Sequence, residues 1–167
     1  AYANTSAPVA ALFAIMTKVG AYSILRVYTL IFGAQAGLAA NLIETWLLPL
    51  ALLTLIVGTL GVVASNHLRQ QVAYLTVASV GTLLIAFGMN STASMTAGLY
   101  YLPHSTFTAA ALFLLADVIT KRRAILNDQF NPGPVISHHR LLGAFFFSFC
   151  AVLCCYSVLF VLFLCCF

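Results

Sequence analysis

Five apolar runs, each about long enough to cross a bilayer, divide this chain: residues 9–32, 42–64, 69–90, 95–119 and 141–167. A hydrocarbon core about 30 Å thick takes about 20 helical residues to cross. Within lipid every backbone N–H and C=O must be satisfied inside the protein, which leaves helices or a closed barrel. The short alternating segments of barrel strands are absent. The fold class read from the sequence is therefore all-α, a polytopic transmembrane helical bundle of about five spans. Composition agrees, with 63% hydrophobic and only 6% charged residues in 167. A soluble domain carries about a quarter charged residues.

The breaks between runs carry helix-end chemistry. "SAP" at 6–8 offers a serine cap and a proline in the first turn. "FGAQAG" at 32–37, "SNHLRQQ" at 65–71 and "MNST" at 89–92 part the next runs, and 121–140 is the one long polar loop. The start, "AYANTSAPVA", has neither a basic n-region nor an initiator methionine, which suggests a beginning inside a longer protein.

Charge sets an expected orientation. Arg69 lies in the loop after the second run, and Lys121, Arg122, Arg123 and Arg140 lie in the loop after the fourth. Loops 33–41 and 90–94 hold no Lys or Arg. Basic loops favour the cytoplasm, so the N-terminus is expected there, with Trp46 near the outer interface. A net charge of +4 scattered among apolar runs does not make a nucleic-acid surface.

A few polar groups lie at depth. Lys18 is about the tenth residue of its run. A lysine at a helix centre costs roughly 2.5–3.5 kcal/mol on insertion scales. Its helical face holds Ala11, Ala14, Ala21 and Tyr22, and the opposite face Leu12, Phe13, Met16 and Ile24. Small residues admit a neighbouring helix, so Lys18 should point into protein. Proton relay and structural pairing with a carboxylate both fit.

His104 lies midway along the fourth run, in "YYLPHSTFTAAALF". Tyr100, His104 and Thr108 recur at i, i+4 and i+8 as one polar stripe. Pro103 removes a backbone donor and leaves the Leu99 carbonyl without its helical partner. Histidine suits proton hand-off near neutral pH, although a passive interhelical hydrogen bond fits the same residue. Arg26 and Glu44 could form an ion pair across the 33–41 loop. Asp117 and Lys121 have the spacing of a local helix pair. Tyr74, Ser79 and Thr82 put hydroxyls on the third helix, for interhelical hydrogen bonds or a hydrated path.

Other chemistries are not expected. "GTLG" at 58–61 lacks a dinucleotide-loop pattern. His138 and His139 have no further ligands in view, and Cys150, Cys154 and Cys155 read as small hydrophobes. No metal and no cofactor are expected. The sequon "NST" at 90–92 has meaning only in a secretory-pathway protein.

As a set, these residues resemble a known family. "SAPVAALFAIMTKVGAYSILRVYTLIFG" resembles the eighth transmembrane helix of the antiporter-like subunits. These occur in Mrp-type multisubunit sodium/proton antiporters and in respiratory complex I. "LRQQVAYLTVASVGTLLIAFG" resembles the tenth helix and "YYLPHSTFTAAALFLLADVI" the eleventh. The resemblance covers roughly residues 1–143 and favours the D-type member of the Mrp branch. It implies a midplane chain of buried lysines, histidines and glutamates that carries protons, with Lys18 and His104 on two of its positions. Thr108 stands where the large complex I antiporter-like member has a lysine, which also favours the Mrp branch.

The resemblance implies more helices than five. A chain starting after the family's seventh helix lacks the glutamate of its fifth and the lysine of its seventh. The family's twelfth helix is interrupted and carries another lysine. After "LLGAFFF" this chain instead reads "SFCAVLCCYSVLFVLFLCCF". Residues 1–143 are thus expected to be the antiporter-like region, and 144–167 an atypical Cys- and Phe-rich tail forming a fifth span. The change suggests a shifted reading frame and a truncated product.

The expected function is that of a proton-translocating subunit of a multisubunit Na⁺/H⁺ antiporter, not an enzyme, in a bacterial inner membrane. Its expected partners are other antiporter subunits, H⁺, Na⁺ and the lipid bilayer, with no nucleic acid. The rivals are a proton-pumping subunit of NADH-quinone oxidoreductase or a membrane hydrogenase, and a truncated fragment without transport.

Overall fold

The computed structural model describes residues 6–31, 38–89, 91–123 and 139–165, with side chains at all of these except 7, 31, 38–45, 139 and 154–165. They form five helices: α1 (Ala7–Ile31), α2 (Leu38–Ala64), α3 (Leu68–Gly88), α4 (Thr92–Arg122) and α5 (His139–Cys165). No strand occurs among the described residues. The stretches Pro8–Leu30, Trp46–Ala64, Leu68–Gly88 and Thr92–Arg122 are each long and apolar enough to cross a membrane. In α5 the apolar stretch with described side chains is Arg140–Leu153. The rest of the expected fifth span lies outside the described side chains.

The helix ends have local causes. Pro8 occupies the first turn of α1, where its missing N–H is not needed. At the start of α4, Ser94 N donates to Ser91 Oγ at 3.1 Å and Ser91 N donates to Ser94 Oγ at 3.2 Å. This reciprocal capping satisfies two N–H groups that a helix start leaves over. Lys121 and Arg122 in the last turn of α4 complement the negative end of its dipole. Pro103 lies inside α4, and the helix runs through it without interruption.

Hydroxyls within these apolar helices turn back on their own backbone. Thr54 donates to the Leu50 carbonyl, Thr59 to Ile56, Thr96 to Thr92 and Thr108 to His104, at 2.8–2.9 Å. A spanning helix can thereby carry Ser and Thr without exposing an unpaired donor to lipid.

Helix α3 is the hub, packed against each of the other four. Glycines set its distance from α2. A Cβ on Gly58 would stand 2.9 Å from the Ala78 nitrogen, and one on Gly81 3.0 Å from the Leu55 nitrogen. A Cβ on Gly61 would run into the Tyr74 ring. The "GTLG" segment is thus a packing surface of small residues, not a loop.

Two apolar clusters fill the bundle. One includes Ala10 and Ala14 of α1, Leu68 and Val72 of α3, Leu112 of α4 and Leu153 of α5. The other joins Ala21 and Leu25 of α1, Leu83 and Phe87 of α3, and Tyr101 of α4. The first half of α1 therefore shares one end of the bundle with the first half of α3 and the second half of α4. At that end Asp117 accepts from Arg69 at 2.8 Å and from Lys121 at 2.7 Å. The i,i+4 pair read from the sequence is present, and Arg69 adds a tie between α3 and α4. On the outside, Leu12, Met16, Leu60, Val63 and Phe107 are exposed, as lipid-facing groups should be.

The glycine contacts predict a graded series. Gly58→Ala and Gly81→Ala meet backbone and should each cost roughly 1–3 kcal/mol. Gly61→Ala would overlap the Tyr74 ring down to its Cγ, more closely than the other two overlap backbone, and should cost at least as much. Gly20→Ala meets nothing within 4 Å and should be neutral or better. Unfolding in mixed detergent micelles would rank the four.

Candidate functional site

The two apolar clusters are separated by a polar layer, and each of three helices contributes one group to it. On α1 the buried stripe runs Ala14, Lys18, Ala21. On α3 it runs Leu75, Ser79, Leu83, and on α4 Tyr101, Ser105, Ala109. In each helix the polar residue lies close to mid-length, with a cluster residue one turn away on either side. The alanines on either side of Lys18 let α3 and α4 come close enough for their hydroxyls to reach it.

Lys18 is 1% exposed and one of the largest fully buried side chains. Its Nζ donates to Ser79 Oγ at 2.6 Å and to Ser105 Oγ at 3.0 Å. The Tyr101 ring centroid lies 5.7 Å away, within reach of a cation–π attraction. The two serines are themselves anchored. Ser79 Oγ donates to the Thr76 carbonyl at 2.7 Å and Ser105 Oγ to the Leu102 carbonyl at 3.2 Å. With each hydroxyl hydrogen on a carbonyl, the oxygen lone pairs are left to the ammonium. Thr82 extends the layer, donating to the Ser79 carbonyl at 2.9 Å and lying 3.3 Å from Tyr101 Oη.

This cation is solvated by neutral groups. Among the described side chains the one acid is Asp117, which is committed to Arg69 and Lys121 at the end of the bundle. Pairing of Lys18 with a carboxylate thus has no counterpart among the described residues. A hydroxyl can accept from an ammonium or donate to an amine, so it suits both protonation states. A carboxylate would favour only the charged one. Beside this layer a cavity of about 240 Å³ opens between α2, α3, α4 and α5. Ser79, Tyr101 and Thr59 are the polar groups on a lining that is otherwise apolar, among it Leu55 and Leu153.

His104 is half-buried with its Nε2 enclosed, but the hydrogen-bond partners of Lys18 are Ser79 and Ser105. Thr108 is buried. Tyr100 is 78% exposed, so Tyr100, His104 and Thr108 do not form one interior stripe. The inward face of α4 runs instead through Gly98, Tyr101, Ser105 and Ala109, with Thr108 buried beside it. Tyr22 and Tyr74 also lie outward, and Tyr22 carries the Arg26 guanidinium over its ring at 5.8 Å. The Glu44 side chain, and hence an Arg26–Glu44 pair, lies outside the described residues. So do His138 and the side chains of His139, Cys154 and Cys155. No group of three or more metal-ligating residues occurs among the described residues.

Sequence reasoning missed Ser105 and Tyr101. The signal was present as small or buried residues at i, i+3/i+4 spacing along α4: Gly98, Tyr101, Ser105, Ala109, Leu112 and Ala116.

The chain is similar to known proteins over most of its length. Residues 1–163 match the family described as NADH:quinone oxidoreductase/Mrp antiporter, TM. That match runs past the change in composition at residue 144. A Rhizobium meliloti protein, named as the D member of a probable K⁺/H⁺ antiporter, is 39% identical over 123 residues, 74% of this chain and 23% of the relative. The D member of the Na⁺/H⁺ antiporter of Alkalihalophilus pseudofirmus is 34% identical over 147 residues, 87% of this chain and 29% of the relative. The chain thus spans about a quarter of the length of these relatives.

The hydrogen bonds predict an asymmetry in stability. Ser79→Ala takes the 2.6 Å acceptor from a buried ammonium and should cost roughly 1–3 kcal/mol. Lys18→Met leaves both serines on their backbone carbonyls and should be neutral or stabilising. Detergent unfolding of the two variants checks this, and a Lys18→Met variant less stable than Ser79→Ala contradicts it.

Proposed function

Because the chain belongs to the NADH:quinone oxidoreductase/Mrp antiporter family, we propose that it works as a proton-translocating membrane subunit of a multisubunit monovalent cation/H⁺ antiporter. The observation that carries this reading is Lys18: a buried lysine at mid-span, held by two hydroxyls among the described residues. A purely structural cation gains most from a fixed carboxylate. A proton carrier needs partners that tolerate both of its states, and serines do.

In this reading Lys18 takes up a proton on the amine nitrogen and later releases it to the next acceptor in the membrane plane. Ser79 and Ser105 hold the ammonium in place. The Tyr101 ring stabilises the charge without a competing negative group. The apolar clusters close the layer above and below, so a proton leaves by the polar route and not through them. His104 is the second relay residue of this proposal, one position along α4 from Ser105. Tyr100 has no part in it, since it points outward.

The proposal extends to the ion, the partners and the membrane. The transported cation is Na⁺ or K⁺, after the names that the two relatives carry. The partners are the other subunits of such an antiporter, and the location is a bacterial cell membrane. The basic end of the bundle, with Arg69, Lys121 and Arg122, faces the cytoplasm together with the start of α1. The same relatives support cation/H⁺ exchange over a redox-driven pump.

Proton flux in vesicles carrying the complete antiporter assembly tests the reading. Lys18→Ala should reduce flux to the level of empty vesicles, and His104→Ala should lower it. Lys18→Arg should be as inactive as Lys18→Ala, because a guanidinium keeps its charge but cannot release its proton. Wild-type flux in Lys18→Ala, or an active Lys18→Arg, would reject the relay. For orientation, a thiol-reactive probe that cannot cross the membrane should label Ser91→Cys from outside intact cells, and labelling from the inside alone would reverse the assignment.

A further inference from the structure

The cavity beside the polar layer is a gap in the wall of the bundle. Helix α2 packs against α3, and α5 packs against α3 and α4, but no contact joins α2 to α5 among the described residues. Leu75 and Ser79 of α3 and Tyr101 of α4 make the floor between them, and α2 and Leu153 of α5 make the sides. Ser79 and Tyr101 also meet the Lys18 ammonium. Whatever fills the gap therefore touches two of the groups that hold the buried cation.

The lining selects hydrocarbon. The volume of about 240 Å³ exceeds the roughly 150 Å³ of an apolar cavity that stays dry and takes up benzene. A buried water needs about three polar partners. The three hydroxyls here are already engaged: Thr59 donates to the Ile56 carbonyl, Ser79 donates to the Thr76 carbonyl, and Tyr101 Oη pairs with Thr82. The rest of the lining is apolar. Its extent in depth fits a chain. On α2 it runs from Leu55, which stands against Gly81, to Val63, one residue before the helix end. That is about 12 Å at about 1.5 Å per residue, close to the about 15 Å that one leaflet contributes to a hydrocarbon core of about 30 Å. At the shallow end Val63 is 86% exposed, so the gap joins the lipid-facing surface there. At the deep end lie Ser79 and Tyr101.

We propose that this gap is a lipid site, in which an acyl chain of a phospholipid from the leaflet at the basic end enters past Val63 and ends against Ser79 and Tyr101. The chain closes the polar layer from the side, as the two clusters close it above and below, and keeps water from reaching Lys18 across α3 and α4. The site needs only a membrane-spanning bundle, so it does not depend on the relay reading of Lys18.

The test is photolabelling of the complete assembly in bilayers made with a phospholipid that carries a diazirine at the end of one acyl chain. Irradiation and peptide mass spectrometry should place label on Leu75, Ser79 or Tyr101, all of them buried, as well as on lipid-facing Phe107. With the diazirine moved close to the headgroup, label within the gap should shift to Val63. Thr59→Phe fills the gap from an exposed position of α2 and should remove the deep label while leaving that on Phe107 unchanged. Val63→Trp, a plug at the entrance, should do the same. Label on Phe107 with none on Leu75, Ser79 or Tyr101 in the wild type would overturn the proposal, and would assign the gap to water or to another helix of the assembly. Deep label that survives both plugs would also overturn it, because the chain would then arrive by another route. The readout does not involve flux, so failure of the lipid site leaves the relay standing, and flux intact in Lys18→Ala leaves the lipid site standing.

Discussion

One buried ammonium, held by two hydroxyls from neighbouring helices, is the interaction on which the rest of the arrangement depends. A lysine at the centre of a spanning helix is tolerable only where protein surrounds it. That requirement explains the alanines one turn either side of it. It also explains why α3 and α4 approach α1 at Ser79 and Ser105, and why apolar clusters seal the layer on both sides. A bulkier stripe on α1 would push the serines out of reach and leave the cation unsolvated.

Among the described residues, the carboxylate and the buried ammonium are kept apart. At the end of the bundle Asp117 collects Arg69 and Lys121, a local device that ties α3 to α4 where water is near. At mid-depth Lys18 has neutral partners. Placing an acid beside it would stabilise the charged form and oppose release of a proton. In the proposed relay, that separation is what would leave Lys18 able to exchange protons while Asp117 joins helices.

Much of this was legible in the sequence. The spans follow from run length and from the requirement that backbone groups be satisfied within lipid. The inward direction of Lys18 follows from Ala14 and Ala21 at helical spacing. The Asp117–Lys121 pair follows from its i,i+4 register. What failed to show was the rotation of α4. Tyr100 and Tyr101 are adjacent and alike, and a pattern anchored on His104 selects the wrong one. Only packing against Phe87 and Ala86 at Gly98 fixes which face turns in. Ser105 and Arg69 were hidden for a related reason. Their partners lie 87 and 48 residues away, beyond any helical periodicity.

The central claim is that the Lys18 side chain is enclosed by protein hydroxyls at mid-membrane. Solid-state NMR on the lysine-¹⁵N, serine-¹³C protein in lipid bilayers tests it most directly. The account predicts close contacts from Lys18 Nζ to the Cβ carbons of both Ser79 and Ser105, and none to lipid headgroups or acyl chains. Contacts to lipid in place of the two serines would contradict it.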